Sequence, residues 1–297
     1  MRSVTWSEFV ITRLIKTAGY SAILFIGLIF IFLLREGAPT LLEVRLRSLI
    51  SGRWYPIEGY FGLLPLIGGS LVVTLGAAMI AIPFGLGTAI YIAEIAPRWA
   101  RELLKPLIEL LGGLPSVMLG FLGILVLTSW VRTTLDLPTG LTAFTGALLL
   151  GGIAIPTIVS VAEDALDAVP RSYREAGLAL GATNWQTIWR VTLPAARSGV
   201  LTAIMLGLGR AIGETMAVMM VTGNAPVVPT GPGALFQPAR TMTATIAAEM
   251  GEVANGSVHY HVLFLIGIVL FLISLAVNLT ASSLVFRERK RAERILS

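Results

Sequence analysis

The chain has 297 residues, of which 55% are hydrophobic and only 13% are charged. Soluble domains carry about 25% charged residues, so this composition excludes an ordinary soluble protein and indicates one that lies in a lipid bilayer. Because cysteine is absent, disulfides and thiolate metal sites are excluded. Neither a Walker-type nor a His-Glu-x-x-His motif occurs, so we expect no ATPase or zinc chemistry in the chain itself. The net charge of +5 reflects loop placement, and we expect no nucleic-acid partner and no cofactor.

Six apolar segments are each long enough to cross the hydrocarbon core of a bilayer, which takes about 20 residues of helix. The first has the length of a span, and the residues after it offer no small-x-small cleavage site, so we interpret it as a transmembrane helix and not as a signal peptide. The sequence therefore predicts an all-α membrane protein with six transmembrane helices, at residues 17–34, 66–96, 106–130, 141–162, 194–222 and 261–286.

Basic residues are distributed unevenly between the two sides of these spans. Fifteen of the 22 Lys and Arg residues lie in the N-terminal segment, the 97–105 loop, the 170–197 segment and the C-terminal tail; six lie in the opposite loops, and Arg210 lies within the fifth span. An excess of Lys and Arg marks the cytoplasmic side of a membrane protein. The sequence therefore predicts that both termini and the polar segment 170–194 face the cytoplasm.

Small residues form stripes at i, i+4 spacing on the second and fifth spans. The stripes consist of Ala77, Ala81, Gly85, Ala89 and Ala93, and of Ala195, Gly199, Ala203, Gly207 and Ala211. Such stripes let helix backbones approach closely in lipid, so we expect tight packing within the bundle or against a second bundle. Pro83 and Pro115 each remove a helical hydrogen bond and predict a kink or break, which we interpret as an adaptation of the packing.

The polar segment from Pro170 to Pro194 separates two apolar spans. Ser172 precedes Glu175 by three residues, and Thr183 precedes Gln186 by three. Each pair has the form of a capping box, in which two side chains satisfy amides at the start of a helix. The segment therefore predicts two short helices with a turn near Gly181.

The second of these helices carries an apolar ridge formed by Trp185, Ile188 and Trp189, at positions i, i+3 and i+4. A ridge of this kind either rests on the membrane surface or packs against another protein. Composition alone favours the membrane surface.

The spacing of residues across the same segment favours the second interpretation. Glu175-Ala176-Gly177, three residues, Gly181, nine residues and Val191-x-Leu193-Pro194 resemble the EAA loop of permease subunits in ABC-type importers. That pattern has Ala and Ile where this chain has Gly177 and Val191. The resemblance implies that the helix pair docks into a groove of a separate ATPase, with Glu175, Ala176, Gly177, Gly181 and Trp185 as the coupling residues.

Arg210 and Glu214 lie near the middle of the fifth predicted span. Arg210 is about 20 Å from each end of that span at 1.5 Å per residue. Ionisable groups at such depth face the bundle interior or a water-filled path. Glu214 follows one turn later, close enough to neutralise Arg210. The pair either fixes the orientation of the helix, or it offers a guanidinium fork to a passing anion.

A second resemblance covers residues 54 to 286. The stretch Gly209-Arg210-Ala211-Ile212-Gly213-Glu214-Thr215-Met216-Ala217-Val218 is similar to the fifth-span signature of the C-type permease of inorganic phosphate importers. Shorter matches are Trp54-x-Pro56, Phe61-Gly62-x-Leu64-Pro65, Leu114-Pro115-Ser116 and Ile155-Pro156.

This resemblance implies a type I ABC importer permease with MetI-like topology, in which residues 1–65 form an N-terminal interfacial segment, a first span and an external loop. Residues 66–286 would form the permease core and 287–297 a basic cytoplasmic tail. The implied partners are an A-type sister permease, a dimer of ATPase subunits and an external phosphate-binding protein. Arg210 and Glu214 would line the substrate pathway.

Three alternatives to a phosphate permease stay open at this point. One arginine does not distinguish tetrahedral oxyanions, so sulfate or molybdate competes with phosphate as the substrate. A gradient-driven carrier or channel would need no ATPase, and a membrane scaffold would transport nothing. We expect no metal site, because His259 and His261 lack a nearby set of carboxylates and cysteines.

Overall fold

The computed structural model describes the backbone of residues 6–231 and 233–296, and it is built almost entirely of helices. Residues 1–5 of the predicted interfacial segment lie outside the described residues. The α-helices in chain order are α1 (Trp6–Gly37), α2 (Thr40–Glu43), α3 (Leu46–Leu49), α4 (Leu64–Ile90), α5 (Arg98–Gly113), α6 (Ser116–Leu122), α7 (Ser129–Thr134), α8 (Ala143–Asp167), α9 (Arg171–Ala179), α10 (Asn184–Thr187), α11 (Leu193–Ala195), α12 (Arg197–Gly213), α13 (Met216–Val221), α14 (Met242–Glu249) and α15 (Val258–Leu296).

Wider π-helical turns connect several of these helices, at Tyr91–Ile95, Gly123–Thr128 and Ile188–Thr192. Short 3-10 turns occupy Pro56–Glu58 and Ala234–Phe236. The strands β1 (Trp54–Tyr55) and β2 (Tyr60–Phe61) pair antiparallel as a small hairpin.

Five stretches of the described chain are helical, long and apolar enough to cross a bilayer: Phe9–Glu43, Leu64–Ile95, Ser116–Thr134, Ala143–Asp167 and Val258–Thr280. A sixth results if Asn184–Ala195 and Arg197–Gly213, which meet at 74°, form one span.

The third span was predicted over residues 106–130, but the candidate membrane helix runs from Ser116 to Thr134, so the predicted bounds are wrong. Leu114 and Pro115 are extended and separate the amphipathic helix α5 from the membrane helix that starts at Ser116. A proline pushes the residue before it out of the helical region, which explains the break. Pro83, in contrast, lies inside the continuous helix α4.

Helix α8 is the centre of the bundle and packs against α4 and α12. The predicted small stripes face it, since Ala77, Ala81 and Ala89 on α4 and Ala203 and Ala211 on α12 are buried. A Cβ atom added at Gly207 would lie 2.4 Å from Cγ1 of Ile158 on α8, so only glycine allows this approach. Ala195 is exposed, because the chain bends after it and leaves the line of the stripe.

The two ends of the bundle carry different structures. At one end, the hairpin packs with α2, α3, α14 and the start of α15 around a core that includes Trp54, Leu66 and Val262. We call this the hairpin end. At the other end, α4 and α8 finish beside residues 171–195, which we call the helix pair, around a core that includes Ile92, Val159 and Val200. Helix α1 is exposed from Phe9 to Ile29 and packs against α15 nearer its C-terminal end, where Phe30 stacks on Phe271.

Candidate transport site and helix pair

The helix pair forms the two short helices that the sequence predicts. Thr183 caps α10 through a complete capping box with Gln186, which confirms that prediction. The other predicted box is wrong, because Pro170 is the residue before α9 and Ser172 already lies inside the first helical turn. Proline at the boundary fixes where the helix begins and leaves the Ser172 side chain no capping role.

Gly181 makes the turn between the two helices, as predicted. Its φ is +81°, in the left-handed region that favours glycine. The amide of Ala182 donates to the carbonyl of Gly177 at 3.2 Å, and the amide of Gly181 donates to that of Leu178 at 2.9 Å. These two bonds form a Schellman motif, which closes the C-terminal end of α9 and reverses the chain.

The residues of the predicted coupling motif divide between an inner and an outer face of the helix pair. Gly177 is buried, and a Cβ atom there would lie 3.2 Å from Oγ1 of Thr187, so even alanine would crowd the contact with the second helix. Glu175 and Ala176 are exposed on the outer face. Beside them Leu180, at the tip of the turn, leaves 89% of its surface exposed. The helix pair therefore presents a carboxylate and apolar side chains outward.

The predicted apolar ridge is split. Ile188 is buried, whereas Trp185 and Trp189 pack edge to face at 5.6 Å between ring centres and remain about half exposed. The two rings border an apolar groove of about 800 Å³ that runs along α4 and the start of α12. A π-helical turn begins at Ile188, and there the chain turns this side chain into the core while the two tryptophan rings stay together on the outside.

Arg210 lies in the last turn of α12 and is exposed. Its Nη2 donates to the carbonyl of Gly112 at 3.1 Å, and its Nη1 donates to Oγ1 of Thr157 at 3.2 Å. Gly112 is in the last turn of α5, where unsatisfied carbonyls carry partial negative charge that attracts a guanidinium. The side chain is therefore held between α5 and α8.

The predicted pairing of Arg210 with Glu214 is wrong. Helix α12 ends at Gly213, and Glu214 has an extended backbone, so the one-turn spacing of a continuous helix is lost. Instead, Oε1 of Glu214 accepts hydrogen bonds from the amides of Thr215 at 3.1 Å and Ala217 at 3.4 Å. A carboxylate at this position stabilises the start of α13. The expected single span over residues 194–222 is thus broken in the middle of the bundle.

Two helix starts meet beside this break. Helix α13 packs against α6, which begins after the other break at Leu114-Pro115. A Cβ atom added at Gly120 would lie 2.9 Å from Cα of Ala217, so the two backbones are in close contact. Arg210 therefore lies where α5 and α12 end and where α6 and α13 begin.

Several residues that shape these sites carry no signal in the sequence. Glu94, Gly112 and Thr157 are brought to Arg174 and Arg210 only by the packing of α4, α5 and α8. Among the described residues no cluster suited to a metal ion occurs. His259 and His261 are each bonded to one carboxylate, of Glu249 at 2.8 Å and of Glu43 at 3.0 Å.

Comparison with known proteins identifies the family. Residues 81–290 match the family model described as the binding-protein-dependent transport system inner membrane component. The chain belongs to this family. Its members are membrane subunits of ABC importers, in which a separate subunit is the ATPase.

Named relatives extend the match over nearly the whole chain. The phosphate transport system permease protein PstC of Mesorhizobium japonicum is 33% identical over 96% of this chain and 94% of its own length. The probable ABC transporter permease protein YqgH of Bacillus subtilis is 43% identical over 76% of this chain and 73% of its own. A chain in the solved structure of the MetNI methionine ABC transporter, in an inward-facing conformation, is similar in fold, with a TM-score of 0.59 and 18% sequence identity. The match covers 80% of this chain and 99% of the transporter chain. This chain therefore has the ABC importer permease fold.

Proposed function

We propose that this chain is the membrane-spanning permease subunit of an ATP-driven importer that carries inorganic phosphate into the cytoplasm. Relatives described as phosphate transport permeases, at 32–37% identity over most of the chain, support phosphate as the cargo. In this proposal α12 and α13 together form the fifth of six spans, and the segment 184–195, which meets α12 at 74°, stays outside the bilayer as part of the helix pair. Both termini and the helix pair then face the cytoplasm, in agreement with the distribution of basic residues.

The observation that carries this proposal is the environment of Arg210. Its guanidinium is held by neutral acceptors, Gly112 and Thr157, so its positive charge is available to an anion. The start of α6 adds positive partial charge on the same side of the break at Leu114-Pro115. A guanidinium fork matches the oxygens of phosphate, and the anion would displace the two neutral acceptors.

Glu214 has a different role in this proposal from the one expected on a continuous helix. By binding the first amides of α13, its carboxylate stabilises the break at the end of α12. The break keeps the carboxylate away from the guanidinium. Glu214 thus belongs to the pathway as the residue that fixes its shape, and Arg210 is the residue that touches the anion.

The helix pair is the proposed coupling element. The exposed Glu175, Ala176, Leu180 and Trp185 would contact an ATPase subunit, while Gly177 and Gly181 fix the shape that docks. The proposed complex also contains an A-type sister permease, a second ATPase subunit and an external phosphate-binding protein that delivers the ion to the hairpin end.

ATP-dependent uptake by purified components in vesicles tests the assignment. Arg210→Ala should lower phosphate uptake at least about a hundredfold, because two charge-assisted hydrogen bonds of about 1.5–3 kcal/mol each are lost. Co-purification with the ATPase should persist. Arg132→Ala, which removes an exposed arginine near the hairpin end, is the matched control and should transport normally.

Two results would contradict the proposal. Normal phosphate uptake by Arg210→Ala would remove the site assignment, and failure of an ATPase subunit to bind the wild-type chain would remove the ATP-driven class. Sulfate and molybdate serve as competitors in the same assay, and stronger uptake of either would reassign the cargo.

A further inference from the structure

Arg174 of α9 is bonded to two separate parts of the bundle, the turn that follows α4 and the end of α8. Its Nε donates to both carboxylate oxygens of Glu94 at 3.1 Å, and its Nη2 donates to Oε1 of the same residue at 2.6 Å. Its Nη1 donates to the carbonyl of Val169 at 2.7 Å, and its Nη2 donates to that of Leu166 at 2.9 Å. Glu94 follows the end of α4, whereas Leu166 and Val169 lie at the end of α8. One side chain thus connects the helix pair to both helices.

The charges in this contact are sheltered from water. The Glu94 side chain is 8% exposed and that of Arg174 is 21% exposed. Charges in such surroundings interact more strongly than exposed pairs, and the fork of arginine fixes the angle of the carboxylate as well as its distance. A lysine would keep the charge but would lose this two-point geometry. The contact therefore restricts rotation of α9 relative to α4.

The segment that carries Glu94 is itself held firmly. It is the π-helical turn Tyr91–Ile95, a form that recurs at functional positions of helices. Arg101 of α5 donates to the carbonyls of Ile92, at 2.9 Å, and Ala93 in the same turn. Ile92 is 1% exposed in the core at this end of the bundle. If α9 moves, the pull of Arg174 on Glu94 therefore acts on a turn that is firmly attached to the rest of the bundle.

We propose that Arg174 and Glu94 form the joint through which movement of the helix pair reaches α4 and α8. This inference rests on the proposed docking of an ATPase at the helix pair. Both are positioning residues, since neither lies at the proposed anion contact. Weakening the joint should leave the ATPase bound and hydrolysing ATP, while less of its movement reaches the pathway beside Thr157 and Arg210.

The test is the number of ATP molecules hydrolysed per phosphate transported by the whole complex in vesicles. Glu94→Gln keeps the size of the side chain and removes its charge. Glutamine keeps one acceptor oxygen and loses the other, so one charge-assisted bond from Arg174 is lost, which is worth about a factor of ten. The number of ATP molecules hydrolysed per phosphate should therefore rise about tenfold, while the amount of bound ATPase stays at the wild-type level. An unchanged ratio would overturn the proposal.

Glu163→Gln is the matched control. Glu163 is also a buried carboxylate, 3% exposed, and it accepts a bond from Lys105 at 2.7 Å, but it joins α5 to α8 without touching the helix pair. That bond raises the pKa of Lys105 above its ordinary value. Removing this charge should lower stability and leave the ratio unchanged. If Glu163→Gln raised the ratio as much as Glu94→Gln, the effect would be one of general stability and the joint would be rejected.

Arg174→Lys is a second variant for the same measurement, to be used if the Glu94→Gln chain does not assemble with the ATPase. It retains a positive charge beside Glu94 and loses the fork, so it should assemble and give a ratio between those of the wild type and Glu94→Gln. A wild-type ratio in this variant would overturn the joint. Failure of the proposed function itself is recognised separately, since the wild-type chain would then bind no ATPase.

Discussion

Gly207→Ala is expected to destabilise the bundle, although alanine favours helices. The added Cβ atom would lie 2.4 Å from Cγ1 and 2.9 Å from Cδ1 of Ile158. Carbon atoms in contact are about 3.5–4.0 Å apart, so the overlap is about 1 Å. Ile158 is fully buried, and the backbone of α4 at Gly85 blocks it on the other side, where an added Cβ atom would lie 2.8 Å from its Cγ2. The expected loss of unfolding free energy is about 1–3 kcal/mol.

Thermal unfolding of the purified protein in detergent measures this effect, with Gly209→Ala as the control on the same helix. Nothing lies within 4 Å of a Cβ atom at Gly209, so this variant should be neutral or gain up to about 1 kcal/mol from helix propensity. Ile158→Ala alone should cost about 2–5 kcal/mol. Combined with Gly207→Ala it should cost less than the sum of the two, by about 1 kcal/mol or more. Equal melting of Gly207→Ala and Gly209→Ala would refute the packing argument.

Two further predictions concern the opposite ends of the bundle. Gly181→Ala places a Cβ atom on a residue with φ of +81°, which costs about 1–2 kcal/mol. The turn of the helix pair should therefore be cleaved faster in limited proteolysis. Cleavage at the wild-type rate would argue against a strained turn. Glu249→Ala removes the acceptor of Trp54, Arg240 and His259 at the hairpin end and leaves a mostly buried guanidinium unpaired. It should lower unfolding free energy by about 3–5 kcal/mol and change the fluorescence of Trp54, and an unchanged melting temperature would show that this network adds nothing.

Patterns that depend only on local geometry were predictable. The capping box at Thr183, the left-handed turn at Gly181 and the buried stripes on α4 and α12 follow from spacing alone, and the structure confirms them. A second capping box at Ser172 was wrong because Pro170 is the capping residue, so α9 starts two residues too early for Ser172 to cap it. The predicted apolar ridge keeps Trp185 and Trp189 together but loses Ile188, which is buried where a π-helical turn begins.

Contacts between distant residues were not predictable from the sequence. Glu94 and Arg174 are 80 positions apart, and neither residue alone suggests the other. The same holds for Gly112, whose carbonyl meets Arg210 across 98 positions. Every residue has a main-chain carbonyl, so the sequence does not indicate which carbonyls contribute to a site. Such a site is recognised only from the packing of the helices.

The break at the end of α12 explains how the charge of Arg210 stays available to an anion. On a continuous helix Glu214 would lie one turn from Arg210 and would neutralise it, and a neutral pair attracts no anion. Because α12 ends at Gly213, the carboxylate binds the first amides of α13 instead, and the guanidinium keeps only the carbonyl of Gly112 and the hydroxyl of Thr157. The exposed guanidinium is then held by two neutral acceptors that an oxyanion can replace, and the helix break is what keeps the carboxylate from taking their place.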